Sequence, residues 1–192
     1  MQKGKIKQMV AVSMLSTIAY VLMMFDFPFP GLPPFLQIDF SEVPALLAAI
    51  IFGPAAGVMV EAIKNVLHYG ITGSFTGVPV GQLANFVAGI LFILPVSYLF
   101  RKKHTVKRLS IGLVFGTVLM TFMMGLLNYV IILPAYTWFL GADPMSSQMM
   151  IELILKGIAP FNLIKGTIIT LLFIALYNRM QPWVMKQITQ QA

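Results

Sequence analysis

Four stretches of this chain, 8–25, 79–100, 109–133 and 158–178, are apolar and long enough for a helix to cross the ~30 Å hydrocarbon core of a bilayer. Together they hold one charged side chain, Lys165, in "PFNLIKGTIITLLFIALYN". In lipid a spanning segment must satisfy its own backbone polar groups, so each run is expected to be helical. Composition agrees: 58% of the 192 residues are hydrophobic and 10% are charged, with a mean hydropathy of +0.87. A soluble domain carries about 25% charged residues. The chain reads as an all-α integral membrane protein, a single domain over 1–192. There is room for about six spans with short loops, and none for a soluble second domain.

The 13 Lys+Arg against 6 Asp+Glu are placed, not scattered. Lys3, Lys5 and Lys7 precede the first run, Arg101, Lys102, Lys103, Lys107 and Arg108 fill one short connection, and Arg179 and Lys186 follow the last run. Basic residues beside spans are topology signals, and this placement argues against a nucleic-acid partner. There is no cysteine, hence no disulfide. The basic start followed by an apolar run resembles a signal peptide, but "MMFDFPFPG" offers no small-residue cleavage site, so the run reads as a retained span.

Charge also counts the spans. If the N-terminus and the 101–108 connection are both cytoplasmic, an even number of crossings lies between them. Runs 8–25 and 79–100 supply two, so 43–70 must supply two more or none. Gly53-Pro54 breaks that stretch, because proline cannot continue the helical ladder and glycine permits the turn. The expectation is six transmembrane helices, about 8–25, 43–52, 55–69, 79–100, 108–133 and 158–178, with both termini cytoplasmic. The external connections are then 26–42, 70–78 and 134–157, and every acid except Glu61 falls in them or at their edges. The first, a long external loop between helices 1 and 2, is stiffened by Pro28, Pro30, Pro33 and Pro34 and carries Phe27, Phe29, Phe35 and Phe40. It reads as an interfacial loop or as a lid over an external pocket. No internal repeat of the kind found in many secondary transporters is visible.

With this topology, Lys165 and Asn162, Asn128, Gln82 and Asn85, and Glu61, Lys64 and Asn65 all fall in the outer half of the membrane. The inner halves offer almost nothing polar, so no polar route crosses, as a channel would need. The chain reads as a binder of something taken from outside. Glu61 and Lys64, three residues apart, most simply form a salt bridge on one helix face; Gln82 and Asn85 can act as interhelical hydrogen bonds. Lys165 has no carboxylate nearby in its own helix, so its partner must come from another segment or from a ligand.

Several chemistries lack their residues. There is no GxxxxGK[ST] phosphate loop. His68 and His104 are far apart in depth, with no metal-ligand cluster around either. No serine has a histidine at a plausible depth for nucleophilic catalysis. The chain is expected to bind without being an enzyme, and something else must supply the energy. Small residues Ser13 and Thr17, with Ala11 and Ser16 close by, make a face on the first helix suited to close approach by a partner. Gly112 and Gly116 make another, more simply read as bundle packing.

The loop "FPFPGLPPFLQIDFSEVP", the "GPAAG" hinge, "VGQLANFVAG", "LNYVIILPAY" and "APFNLIKG" together resemble the substrate-binding S-components of energy-coupling factor vitamin transporters, most closely the riboflavin-specific ones, over essentially the whole length. The resemblance implies a six-helix bundle of the bacterial plasma membrane with a vitamin site near the outer face. It implies a transmembrane coupling protein and two ATPases as partners, with riboflavin as transported substrate and no cofactor. It also implies docking of the coupling protein through an Ala-x-x-x-Ala face on helix one, which here reads Ser13-x-x-x-Thr17. A flavin would suit the residues available. Asn128 can pair the uracil-like edge of the ring, Lys165 can donate to a ring carbonyl, and Asn162 and Asn85 are further amides. Gln37, Asp39 and Lys64 are expected to reach the ribityl hydroxyls, and Phe40 to cover the ring face. The competing reading is a stand-alone ion-coupled secondary transporter of a small aromatic solute, with Glu61 as its ion site.

Overall fold

The computed structural model describes residues 2–33 and 35–190; Pro34 and the Lys3 side chain lie outside them. The chain runs α1 (Gln2–Met23), β1 (Phe27–Pro28), β2 (Gln37–Ile38), α2 (Glu42–Phe52), α3 (Pro54–Thr72), α4 (Val80–Lys102), α5 (Val106–Leu127), α6 (Leu133–Leu140), α7 (Ser147–Leu153) and α8 (Ala159–Thr189). A π-helical segment, Asn128–Ile132, joins α5 to α6, and a second, Ile154–Ile158, joins α7 to α8. Among the described residues, four continuous helices are long and apolar enough to cross a membrane: Gly4–Met23, Val80–Lys102, Val106–Leu140 and Ser147–Thr189.

α2 is the centre of the molecule. Every residue from Glu42 to Ile51 is buried, as expected of a helix apolar on all sides. α1, α3, α4 and α8 pack around it. Its end is set by Gly53, whose φ of +109° strains any residue with a Cβ, and whose N–H closes on Ala49 O. Pro54 then takes the first position of α3, where a missing N–H costs nothing. The α2–α3 pair closes tightly because a Cβ on Gly57 would lie 2.6 Å from Ala49 Cβ.

The glycines of α5 pack the bundle. A Cβ at Gly112 would meet Val96 Cα at 2.8 Å, and one at Gly116 would meet Phe92 O at 2.6 Å. The α4 and α5 backbones therefore touch, the small-residue packing that membrane helices use. Lys7 Nζ donates to Gln190 Oε1 at 2.9 Å, which brings the beginning of α1 and the end of α8 to one end of the bundle.

Three features depart from the sequence reading. The 134–157 connection is largely helical, with α6 and α7 extending the long helices and only 141–146 between them. α8 continues past the expected 178 to Thr189. The proline-rich 26–42 stretch contains a two-stranded antiparallel hairpin, with Phe27 opposite Ile38 and Pro28 opposite Gln37. The extension past 133 has a local cause. Each π segment is followed by a proline, Pro134 or Pro160, that cannot bond to the carbonyl four residues back and crowds it. The ladder widens instead: Leu133 N–H bonds Asn128 O and Ala159 N–H bonds Ile154 O, each five residues back, and the helix survives.

Candidate binding cavity

A cavity of about 520 Å³ opens between the ends of α1 and α3, the starts of α4 and α8, and the end of α5. It lies at the end of the bundle remote from the Lys7–Gln190 contact. That volume falls within the ~300–1,000 Å³ usual for small-molecule sites. Its apolar wall includes Met120, Met124, Ile132, Ile158 and Phe161; Asn85, Asn128 and Asn162 set three carboxamides into that wall. Phe35, Phe75 and Tyr136 add aromatic rings from three different connections, with Phe75 and Tyr136 stacked at 5.5 Å and nearly parallel.

The π segments position two of the amides. Asn128 opens the first segment, and Asn162 lies one turn beyond the second. Each amide nitrogen donates back to its own helix, Asn128 Nδ2 to Met124 O and Asn162 Nδ2 to Ile158 O, both at 2.8 Å. That bond fixes the side chain and leaves a carbonyl oxygen and a second N–H for a ligand. Asn85 Oδ1 accepts from Asn65 Nδ2 at 3.3 Å. Gln82 holds the following connection in place, donating to Gly73 O at 2.8 Å, with His68 Nδ1 at 3.2 Å.

The charged part is a buried relay. Lys165 Nζ lies 2.9 Å from Asp39 Oδ2 and 2.9 Å from Glu42 Oε1. The partner missing from its own helix is thus supplied by the root of the 26–42 connection. Asp39 Oδ1 accepts from both the backbone N–H and the hydroxyl of Ser41. Lys64 Nζ donates to Ser41 Oγ at 2.5 Å and pairs with Glu61 Oε2 at 2.9 Å, the salt bridge that the three-residue spacing suggests. Burial alone would raise the Asp39 carboxyl, which lies between the spans, but Lys165 and then Lys64 hold it below the usual carboxylate range. Asp26 at the cavity wall moves the other way, raised by burial and by the nearby Asp39 charge.

Six of the eight candidate ligand-facing residues line the cavity: Gln37, Asp39, Asn85, Asn128, Asn162 and Lys165. Lys64 and Phe40 do not. Lys64 is fully enclosed at 0% exposure, because three carboxylates and Ser41 claim its position before any ligand could. Phe40 packs against Phe27 within its own connection, ring centroids 6.5 Å apart. Asp39 reaches the cavity but is only 2% exposed, so it serves Lys165 and Ser41, not the watery rim where the sequence reading set it. Phe75, Tyr136, His68 and Glu42 also line the cavity and were missed. Only Glu42 had a signal, as an acid at the edge of an apolar run. Ser13 and Thr17 lie exposed on α1, beside its buried stripe Val12, Ser16, Ala19 and Met23.

A cavity of this size, apolar with a few convergent polar groups, is suited to binding a small molecule, and comparison with known proteins gives the family. Residues 7–177 match the family described as ECF transporter, substrate-specific component, and the chain belongs to that family. It is 55% identical to the riboflavin transporter FmnP of Bacillus subtilis (strain 168), across 95% of this chain and 96% of that protein. It is 42% identical to the riboflavin transporter RibU of Staphylococcus aureus (strain TCH60), across 91% and 90%. A solved structure, described as the S component of a bacterial ECF transporter, superposes with a TM-score of 0.80 at 41% identity, covering 94% of this chain and 98% of that one. The protein is a membrane transport component, not an enzyme.

Proposed function

We propose that this chain is the high-affinity riboflavin-binding, substrate-capture subunit of an ECF-type importer in a bacterial plasma membrane. In this reading it spans six times with both ends cytoplasmic, the basic 101–108 connection inside and the cavity facing out. α2 and α3 act as the broken pair that keeps the crossings even. The observation that carries the reading is the cavity wall, where three carboxamides are set among apolar and aromatic side chains. A flavin ring is flat and apolar with one edge of alternating acceptors and a donor. Asn128 and Asn162 can pair that edge through their uncommitted carbonyl and N–H groups. Lys165 has three donors and two carboxylates, so one N–H remains for a ring carbonyl. Phe35, Phe75 and Tyr136 supply ring faces, and Gln37 suits the ribityl hydroxyls.

Uptake then needs a separate coupling protein and two ATPases, because the chain has no phosphate-binding loop of its own. Ser13 and Thr17 are proposed as the docking face. The test is direct: protein purified in detergent should carry a yellow flavin spectrum or bind added riboflavin stoichiometrically. A colourless protein that ignores riboflavin, yet takes up a solute in vesicles under an ion gradient, would replace this reading with a stand-alone secondary transporter.

A further inference from the structure

We propose that Lys64 is a positioning residue for the cavity-facing ammonium of Lys165, acting through Ser41 and Asp39; this rests on the riboflavin-capture reading above. Lys64 never touches the cavity, yet it is the first member of a directional chain. An ammonium can only donate. Ser41 Oγ, 2.5 Å from Lys64 Nζ, must therefore accept, and its own hydrogen is left for Asp39 Oδ1. The backbone N–H of Ser41 reaches the same oxygen at 2.8 Å. With Oδ1 held twice, Asp39 turns Oδ2 to Lys165 Nζ at 2.9 Å. Glu42 Oε1 takes a second N–H of Lys165 at 2.9 Å and lies 3.8 Å from Lys64. The third N–H of Lys165 is then aimed by two carboxylates whose own placement depends on Lys64.

Lys64 is fixed from its other side. Glu61 Oε2 pairs with it at 2.9 Å, and the Glu61 carboxylate lies against Gly89 of α4, where a Cβ would overlap it. The relay thus ties α3 and α4 to the root of the 26–42 connection and to α8. Asp39, Glu42 and Glu61 share two ammoniums; without Lys64, Asp39 and Glu42 depend on Lys165 alone, and Glu61 loses the ammonium it pairs with. Buried polar chains of this kind act as units, and their coupling is measured by double-mutant cycles.

The experiment is riboflavin titration of the purified full chain in detergent, for Ser41→Ala and Lys64→Met, each alone and combined with Lys165→Met. Acting through Lys165, each substitution should weaken binding about 3- to 30-fold in the wild-type background and less than about 2-fold in the Lys165→Met background. Ser41→Ala alters neither charge nor bulk greatly, so it decides the matter even if Lys64→Met fails to fold. Unchanged affinity in Ser41→Ala, or equal losses in both backgrounds, overturns the relay while leaving riboflavin capture intact. Failure of the wild-type chain to bind riboflavin overturns the capture reading, and this inference with it.

Discussion

Lys165 Nζ and Asp39 Oδ2 lie 2.9 Å apart, although 126 residues separate them in the chain. Their contact fastens the start of α2 and the connection before it to the cavity-lining turn of α8. It also answers how an apolar span tolerates a lysine: the counter-charge is carried in from a different segment, and Glu42 doubles it.

Replacing Lys165 by Met should therefore do two things. It strands two buried carboxylates, so stability without ligand should fall by about 3–5 kcal/mol, the range for breaking a buried pair from one side. It also deletes the donor proposed for the flavin, at about 1.5–3 kcal/mol of binding, or roughly 10- to 150-fold in dissociation constant. Thermal melting with and without riboflavin separates the two effects. A melting temperature equal to wild type would show that the carboxylates do not need the lysine.

The same pair predicts an acid response. Asp39 is held below its ordinary pKa of about 3.9. For a depressed carboxyl the stabilisation is present in full above the unfolded value and is lost as pH falls through the folded one. The difference in melting temperature between wild type and Asp39→Asn should stay constant from pH 7 to about pH 4 and shrink only below that. A gap that closes between pH 7 and pH 5 would mean that Lys165 does not hold this carboxylate.

Much of this arrangement is legible in the sequence because membrane physics leaves few alternatives. A lysine without a carboxylate in its own span needs a partner from another segment or from a ligand, and Gly53-Pro54 ends one helix and begins another. Other features depend on long-range fit. Lys64 is an ordinary helix-face salt bridge by spacing, and only the packing of Ser41 and Glu42 against it removes it from the cavity. Phe75 and Tyr136 lie in segments with no periodic signal and meet only when the connections fold over one another. The expected fifth helix stops at 133, one residue before Pro134, whereas a one-residue widening of the ladder lets the helix pass.

The α4–α5 contact should tolerate no added bulk at its closest point. Gly116→Val places atoms where Phe92 O already sits within 2.6 Å of a Cβ, and backbone cannot swing aside as a side chain can. The variant should lose at least about 1–3 kcal/mol of stability, read as a lower melting temperature in detergent. Gly125→Ala, whose nearest neighbour would be Ile154 Cγ2 at 3.5 Å, should melt like wild type.

Asn128→Leu separates the binding edge from the fold. Leucine suits a helix in lipid, and Met124 O, which loses the Nδ2 bond, still accepts the backbone N–H of residue 128. Riboflavin binding should weaken by about 1–3 kcal/mol, the cost of leaving a buried polar group on the ligand unpaired, while melting without ligand changes little. Unaltered affinity by titration would remove Asn128 from the site.

Ser13 and Thr17 test the proposed docking face. Both are exposed on α1, one turn apart, beside the stripe of Val12, Ser16 and Ala19 that is buried in the bundle. Thr17 Oγ1 donates to Ser13 O at 3.1 Å, so its hydroxyl is already satisfied, and the two positions present small side chains next to the larger exposed Val10 and Met14. Such a surface lets another helix approach to backbone distance, and a tryptophan there acts as a wedge. Because neither side chain packs inside the bundle, Ser13→Trp and Thr17→Trp should fold and bind riboflavin like wild type. Reconstituted in vesicles with the coupling protein and its ATPases, both should lose ATP-driven uptake. Retained transport in both variants would move the docking surface elsewhere on the molecule, whereas loss of binding along with transport would show that these two positions support the cavity and not a partner.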